Sequence, residues 1–258
     1  MAAPKNRFKA LLRDKPRSIG MWMGMCDPYM AEAVARAGFD WVLIDGEHAP
    51  NDLRSIVAQL QVLEPHVAPV LRLPVNEPWL IKQALDAGVQ SLLAPMVSTA
   101  DQARAIVRAM RYPPHGIRGV GYPLGRASHF NTVQDYAATA NDQMCLVVQI
   151  ETQAGYDNLE DILAVEGVDA AFVGPADLAA DMGYLTDMNN PVMLDRVADA
   201  LRRIRAAGKP AGIIDVPDDA IERHFASGAS FVAVGADLVI FAETMRSLAA
   251  KWQARIAD

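Results

Sequence analysis

Short apolar runs alternate with longer amphipathic segments along most of this chain. Runs of four to eight mainly apolar residues, each bounded by Gly, Pro or charged residues, predict buried strands. The segments between them repeat apolar residues at three- and four-residue steps, which predicts helices packed by one face. The predicted strands are 18–25, 41–44, 67–73, 90–95, 145–151, 170–173, 211–214 and 231–234.

The predicted helices begin at recognisable capping residues. The first amphipathic helix covers 5–14, and Asp27 caps a second helix that ends near Gly38. Further helices are predicted at 53–63, from Asn76 or Glu77 to Gly88, from 98–101 to about 112, at about 193–207 and from Pro217. The last helix carries an apolar seam, which is formed by Leu238, Phe241, Met245, Leu248, Trp252 and Ile256. Such a seam suits packing or swapping between subunits.

Eight strand–helix units without a break in composition predict an α/β protein with one domain over residues 1–258. The expected architecture is a single (β/α)8 TIM barrel with a long C-terminal helix. An open, doubly wound sheet is the competing arrangement, but the count of eight and the chain length favour closure.

The segment 113–130 interrupts the alternation. It is rich in proline and glycine, and a loop of this length predicts a lid or binding loop rather than a domain boundary. His115 and His129 are candidates for contact with a substrate, as are Tyr122 and Arg126, although solvated loop residues are the alternative. The glycines of 116–121 lack the order and the strand–turn–helix context of a dinucleotide site, so a Rossmann interpretation is rejected.

Composition narrows the function classes. The chain has 258 residues, 52% of them hydrophobic, and a formal net charge of −7. The acidic balance argues against nucleic acid as a partner. No apolar stretch approaches a membrane span, and no secretory signal is expected at the N-terminus. Cys26 and Cys145 lack metal-site spacing and predict free thiols, so we expect a cytoplasmic protein.

Polar residues follow the predicted strands directly, where a parallel barrel places them around one mouth. The stretch 41–50 is the clearest case, since a buried run ends in two carboxylates and an imidazole, although a solvated loop is the alternative. The strand-end residues are Trp22, Asp45, Glu47, His48, Arg72, Gln149, Glu151, Asp177 and Ile214.

Glu151 and Asp177 follow adjacent strands and suit a hard cation such as Mg²⁺ or Mn²⁺ better than zinc. The alternatives are Asp177 as a plain helix cap and Glu151 as the partner of a buried arginine such as Arg72. No lysine lies at a strand end, because Lys82 and Lys209 fall in a helix and a turn. Covalent Schiff-base chemistry is therefore disfavoured.

Several motifs together resemble one enzyme family. They are Ile44-Asp-Gly-Glu-His-Ala-Pro50, Arg72, Gln83-Ala-Leu-Asp86, Arg111-Tyr-Pro-Pro114, Gly116-Ile-Arg-Gly119, Gln149-Ile-Glu151, Gly174-Pro-Ala-Asp-Leu178 and Val232-Ala-Val-Gly235. This pattern, which covers nearly the whole chain, resembles the HpcH/HpaI family of class II pyruvate aldolases, closest to its 4-hydroxy-2-oxoheptanedioate aldolase branch. No catalytic position of the family pattern is altered.

The resemblance implies an enzyme that cleaves 4-hydroxy-2-oxo acids into pyruvate or hydroxypyruvate and an aldehyde. The reaction would pass through an enolate bound to a divalent metal, which would be Mg²⁺, Mn²⁺ or Co²⁺. The metabolic role would be the catabolism of aromatic compounds or sugar acids. Glu151 and Asp177 would ligate the metal, and Arg72 would stabilise the enolate oxygen. His48 would be the base. The substrate-binding residues would be Gln149, Ala176, Asp177, Trp22 and Ile214.

The family pattern pairs Asp86 with the base His48. Because a barrel helix runs away from the mouth, Asp86 should reach only the His48 of a neighbouring subunit. A charged helix end beside Lys82 is the alternative. The resemblance further implies a homohexamer with shared active sites.

Two other functions stay open: a carbon–carbon lyase for acyl-CoA substrates, like the citrate-lyase β-subunit, and a non-catalytic binding barrel.

Overall fold

The computed structural model describes residues 1–256 as a closed barrel of eight parallel strands, paired in chain order with β8 returning to β1. The predicted (β/α)8 barrel is therefore confirmed. The strands are β1 Ser18–Met23, β2 Trp41–Asp45, β3 Ala68–Arg72, β4 Ser91–Ala94, β5 Cys145–Ile150, β6 Ala170–Val173, β7 Ala211–Ile214 and β8 Phe231–Ala236.

Helices follow every strand and pack outside the barrel. Asp27 and Asp52 cap α2 and α3 through their side chains, and α3 has the predicted bounds. The helices are α1 Arg7–Asp14, α2 Pro28–Ala35, α3 Leu53–Leu63, α4 Pro78–Asp86, α5 Ala100–Met110, α6 Tyr136–Gln143, α7 Gln153–Asp157, α8 Leu159–Leu163, α9 Pro175–Asp181, α10 Pro191–Ala206, α11 Asp218–Ala226 and α12 Asp237–Ile256.

Large side chains fill the amino end of the barrel. Phe8 of α1 packs edge-on against Trp41 and Phe231, with ring centroids 5.7 Å apart in both pairs. Gly20 makes this possible, because a Cβ there would lie 2.3 Å from the Trp41 ring. Gly212 leaves similar room for Phe231. The amino end is therefore filled by packed side chains, and the polar residues that follow the strands lie at the carboxyl end.

The segment 113–130 lies at the closed amino end, so a lid over the mouth of its own barrel is wrong. It follows α5, and a barrel helix returns the chain to the amino end of the strands. Arg126 binds Glu64 at the end of α3, with Nη1–Oε1 at 3.0 Å, and Arg118 binds Asp86 at the end of α4. His115 and His129 are exposed on that face and lie away from their own mouth.

The apolar seam of α12 is largely uncovered in the single chain. Phe241, Leu248 and Trp252 are each about half exposed, with relative accessibilities of 50%, 48% and 53%. Isolated exposed apolar residues are ordinary, but a continuous row of them marks an interaction surface. Within residues 1–256, no helix combines the length and apolar character needed to cross a membrane.

Candidate active site

A buried ion pair joins the carboxyl ends of β2 and β3. Asp45 and Arg72 are register partners, so their side chains meet side by side. Arg72 donates Nε–H to Oδ1 at 2.9 Å and Nη2–H to Oδ2 at 2.7 Å, and Trp22 Nε1 donates to Oδ2 at 3.1 Å. Burial raises the pKa of Asp45, but the bonds and charge of Arg72 outweigh it and leave that pKa lowered. Asp45 is thus a fixed anion.

Asp45 also shapes the loop that follows β2. Its Oδ1 accepts the backbone N–H groups of Glu47 at 2.9 Å and His48 at 3.2 Å. Gly46 is required between them, because a Cβ there would lie 2.5 Å from the carbonyl oxygen of Arg72. Glu47 consequently turns back to Arg72, with Nη1–Oε2 at 2.8 Å, while His48 is exposed at the mouth. The strand-end pattern placed Asp45 and Glu47 here without assigning them these roles.

Glu151 is the most perturbed carboxylate of the rim. Its Oε1 accepts the backbone N–H of Met96 at 2.6 Å, and its Oε2 accepts the side-chain amide of Gln149. Burial raises the pKa of Glu151 to about 7, and the Met96 bond opposes the rise. The charges of Asp177 and Glu47 raise the pKa further. The rim therefore holds more negative charge than Arg72 can neutralise.

Asp177 lies in the first turn of α9 with its side chain exposed. Gly174 is the N-cap residue of this helix and provides no side-chain cap, so the alternative of Asp177 as a plain cap is wrong. The first intrahelical bond is donated by Leu178 to Gly174. The amides of Ala176 and Asp177 precede it and are available to a carboxylate.

Arg72 is not the ion-pair partner of Glu151. All three of its nitrogens contact Asp45 or Glu47 instead. The alternative of Glu151 as the partner of Arg72 is therefore also wrong. Burial raises the pKa of Glu47 too, with the charge of Arg72 opposing it and that of Asp177 adding to it. Three carboxylates, those of Glu47, Glu151 and Asp177, therefore interact electrostatically at one mouth.

The donor set at the rim fits a hard divalent cation. Glu151 and Asp177 follow neighbouring strands and offer oxygen ligands, and Gln149 Oε1 is buried without a hydrogen-bond partner among residues 1–256. Gly174 leaves room for the Glu151 carboxylate, because a Cβ at position 174 would lie 2.6 Å from Glu151 Oε2. Among the described side chains, no group of three or more His, Cys, Asp or Glu could hold a metal. Two protein ligands leave coordination positions for water and substrate.

Two other predicted site residues lie on the same rim. Trp22 is buried in β1, and Ile214 ends β7 with partial exposure. Arg72 stacks over the Trp22 ring, with its Cζ 4.7 Å from the centroid. Asp86 lies elsewhere, at the amino end of the barrel, where Arg118 Nη2 donates to its Oδ1 at 2.7 Å. The single chain therefore does not bring Asp86 to His48.

The chain shares its length and sequence with named aldolases. The family model described as HpcH/HpaI aldolase/citrate lyase matches residues 18–244. A hydroxypyruvate/pyruvate aldolase of Roseovarius nubinhibens is 58% identical over 254 residues, which are 98% of this chain and 99% of that protein. A 4-hydroxy-2-oxo-heptane-1,7-dioate aldolase of Escherichia coli is 50% identical over 252 residues, 97% of this chain and 96% of that protein.

Solved structures agree with these relatives. A family member from Burkholderia cenocepacia J2315 superposes with a TM-score of 0.91 at 39% identity, over 96% of this chain and 100% of that one. A citrate lyase beta subunit from M. tuberculosis, complexed with oxaloacetate and magnesium, superposes with a TM-score of 0.57 at 15% identity, over 87% of this chain and 93% of that one. At this low identity the likeness shows a shared fold alone. The predicted resemblance is confirmed, and the chain belongs to the HpcH/HpaI aldolase/citrate lyase family.

Proposed function

We propose that this protein is a divalent-metal-dependent aldolase that reversibly cleaves 4-hydroxy-2-oxo acids into pyruvate or hydroxypyruvate and an aldehyde. The observation that carries the proposal is the cluster of carboxylates at the carboxyl rim, where the buried Glu151, held by the Met96 N–H and by Gln149, lies at one mouth with Glu47 and Asp177. The names of the relatives support the aldolase over the acyl-CoA lyase and the non-catalytic barrel.

Glu151 and Asp177 are the residues that would hold the metal, as Mg²⁺, Mn²⁺ or Co²⁺. When bound there, the cation would supply electrostatic stabilisation of the negative charge that develops on the 2-oxo oxygen. Gln149 and the amides of Ala176 and Asp177 would hold the substrate carboxylate and keto group. Trp22 and Ile214 would line the pocket around them.

Arg72 is positioned to stabilise the same developing charge. A guanidinium has five N–H donors, and Arg72 directs three nitrogens to Asp45 and Glu47. The two remaining Nη hydrogens are available to an oxyanion. Because both carboxylates and the Trp22 ring fix the guanidinium, little reorganisation is required when the charge forms.

His48 is the proposed base for the C4 hydroxyl during cleavage. Its backbone is held by Asp45, and its side chain is exposed at the mouth, where a substrate hydroxyl can approach. Replacing His48 by Ala is expected to keep metal binding and slow turnover by about 10²- to 10⁴-fold. A wild-type rate in His48→Ala would remove His48 from this role.

Asp86 is proposed to orient His48 from a neighbouring subunit of a homohexamer. Asp86 is partly exposed beside Arg118, and the uncovered α12 seam offers a surface for assembly. Mixing Asp86→Asn with His48→Ala subunits tests the sharing, because hybrids would contain some sites with both residues intact. Recovered activity supports a shared site, and hybrids as inactive as their parents contradict it.

Metal removal tests the proposed function directly. Pyruvate release from a panel of 4-hydroxy-2-oxo acids should stop after EDTA treatment and dialysis, and return when Mg²⁺, Mn²⁺ or Co²⁺ is restored. Activity that survives complete metal removal would contradict the proposal. A cytoplasmic location, the absence of nucleic-acid and membrane partners, and one domain over residues 1–258 remain predictions beside it.

A further inference from the structure

Met96 adopts a backbone conformation that its side chain does not favour. Its φ is 55°, in the left-handed region that Gly and Asn normally occupy. Met96 follows β4 on the carboxyl rim, and its N–H donates to Glu151 Oε1 at 2.6 Å. Disfavoured backbone of this kind persists where the surroundings impose it, and such sites are often functional.

Hydrogen bonds on both sides of Met96 impose this conformation. On the N-terminal side, Asn76 Nδ2 donates to the carbonyl of Pro95 at 2.6 Å. On the C-terminal side, Val97 donates to the carbonyl of Gln149 at 3.2 Å, and Asn158 Nδ2 donates to the carbonyl of Ser98 at 2.9 Å. The peptide between these fixed points turns its N–H towards Glu151.

Asn76 makes this contact at a cost to itself. Its Oδ1 is buried and has no hydrogen-bond partner among the described residues. An unpaired buried amide oxygen is unfavourable and calls for an explanation. The Nδ2 bond to Pro95 joins this side chain to the rim loop of β4.

We propose that Asn76 and the left-handed Met96 peptide form a positioning device that presents the Glu151 carboxylate to a divalent cation. This inference rests on the proposed function. The Met96 N–H occupies one lone pair of Oε1, and Gln149 occupies one of Oε2, so the carboxylate plane is fixed while other lone pairs stay free. Outer partners of this kind orient metal ligands and tune their affinity.

The device acts through backbone at position 96 and through side chain at position 76, which makes it testable. Without its bond from Asn76, the Met96 peptide is expected to leave the left-handed region and withdraw its N–H from Glu151. In Asn76→Ala, the affinity of the full-length protein for Mn²⁺ alone should fall roughly tenfold to a hundredfold, measured by isothermal titration without substrate. In Met96→Ala the N–H remains, and Mn²⁺ affinity should stay within about twofold.

Asn141→Ala is the matched control, because Asn141 also holds a loop backbone, accepting from Tyr112 N at 2.9 Å, at the opposite end of the barrel. It should bind Mn²⁺ as the wild type does. Should Asn76→Ala fail to fold, Asn76→Asp, which keeps the size and replaces the donor by an acceptor, carries the test and should also weaken Mn²⁺ binding.

Two results would overturn the inference. One is wild-type Mn²⁺ affinity in both Asn76 variants, and the other is an equal loss in Met96→Ala and Asn76→Ala. The failure of the proposed function looks different: the wild type would bind no Mn²⁺, or Glu151→Gln would bind it unchanged. The inference alone fails when wild type binds, Glu151→Gln does not, and Asn76 is without effect.

Discussion

Two arginine–aspartate pairs, each with a buried arginine, lie at opposite ends of this barrel and share several features. Arg72 pairs with Asp45 at the carboxyl rim, and Arg118 pairs with Asp86 at the amino end. Both guanidinium groups stack on an aromatic ring, with Cζ 4.7 Å from the Trp22 centroid and 4.4 Å from that of Tyr112. Their side chains are almost fully buried, at 6% and 0% exposed.

The two pairs differ in the charge around them. Arg72 engages two carboxylates, and the charges of Glu151 and Asp177 add to theirs. Arg118 has one ion-pair partner, and its Nε has no hydrogen-bond partner among residues 1–256. The amino end is therefore balanced and holds a loop in place, whereas the rim has negative charge in excess. That excess is unfavourable in the bare protein, and binding of a cation would relieve it.

Replacing Arg72 by Ala should have the largest effect. The loss of its donors at the site of developing charge is expected to lower kcat for pyruvate release by about 10²- to 10³-fold. Arg118→Ala is the matched change at the other end. It should destabilise folding by about 1–3 kcal/mol, since it removes a fully buried side chain and its charged hydrogen bond to the partly exposed Asp86, and keep Mn²⁺ affinity within about twofold. Arg72→Ala also breaks a buried pair, so both variants should lose stability in denaturant titration, and kcat separates the two. Lost Mn²⁺ binding in Arg118→Ala, measured by calorimetry, would contradict the distinction.

Gly174→Ala should weaken metal binding without removing any ligand. The added Cβ would lie 2.6 Å from Glu151 Oε2 and 2.9 Å from Gln149 Nε2, so both side chains must move. A displaced ligand is expected to lower Mn²⁺ affinity roughly tenfold to a hundredfold. Gly24→Ala on the same rim is the control, because its nearest atom would be 3.8 Å away. Equal affinities in the two variants would show that Glu151 is not confined.

The sequence predicted the strand ends well because hydrophobic runs that stop at charged residues mark the rim directly, as at Asp45 and Glu151. It did not predict the anchoring role of Asp45, since the pairing with Arg72 depends on the register of β2 and β3. The left-handed Met96 was missed because a methionine after proline gives no signal for positive φ. The segment 113–130 was misplaced because its composition outweighed its position after α5.

The stability of the metal-free protein should fall as pH rises. The pKa of Glu151 is about 7 in the fold and about 4.3 in an unfolded chain, so the folded state binds the extra proton between these values. Stability from this group is complete below the lower value and lost as pH rises through the upper one, and the difference between the two values corresponds to about 4 kcal/mol. The raised pKa of Glu47 acts in the same direction.

Thermal unfolding in EDTA at pH 5.5 and pH 8 checks this sign. Glu151→Gln removes the titration, so its melting temperature should change less between the two pH values than that of the wild type. Added Mn²⁺ should restore wild-type stability at pH 8, because binding to the ionised carboxylate offsets the repulsion. A wild-type protein that is more stable at pH 8 than Glu151→Gln without metal would refute the charge-excess account.

The smallest effect is expected from Glu64→Gln at the amino end. Arg126 binds Glu64 through Nη1–Oε1 at 3.0 Å and also donates to the carbonyl of Ala87 at 3.2 Å, so it keeps a partner in the variant. The pair is partly exposed, at 22% and 36%, and such pairs contribute no more than about 1 kcal/mol. The loss should shrink further in high salt, which screens this pair in the wild type. Mn²⁺ affinity should be unchanged. If Glu64→Gln weakened Mn²⁺ binding as Gly174→Ala is expected to, the two ends of the barrel would not be independent, and the charge excess at the rim could not be treated as a local property.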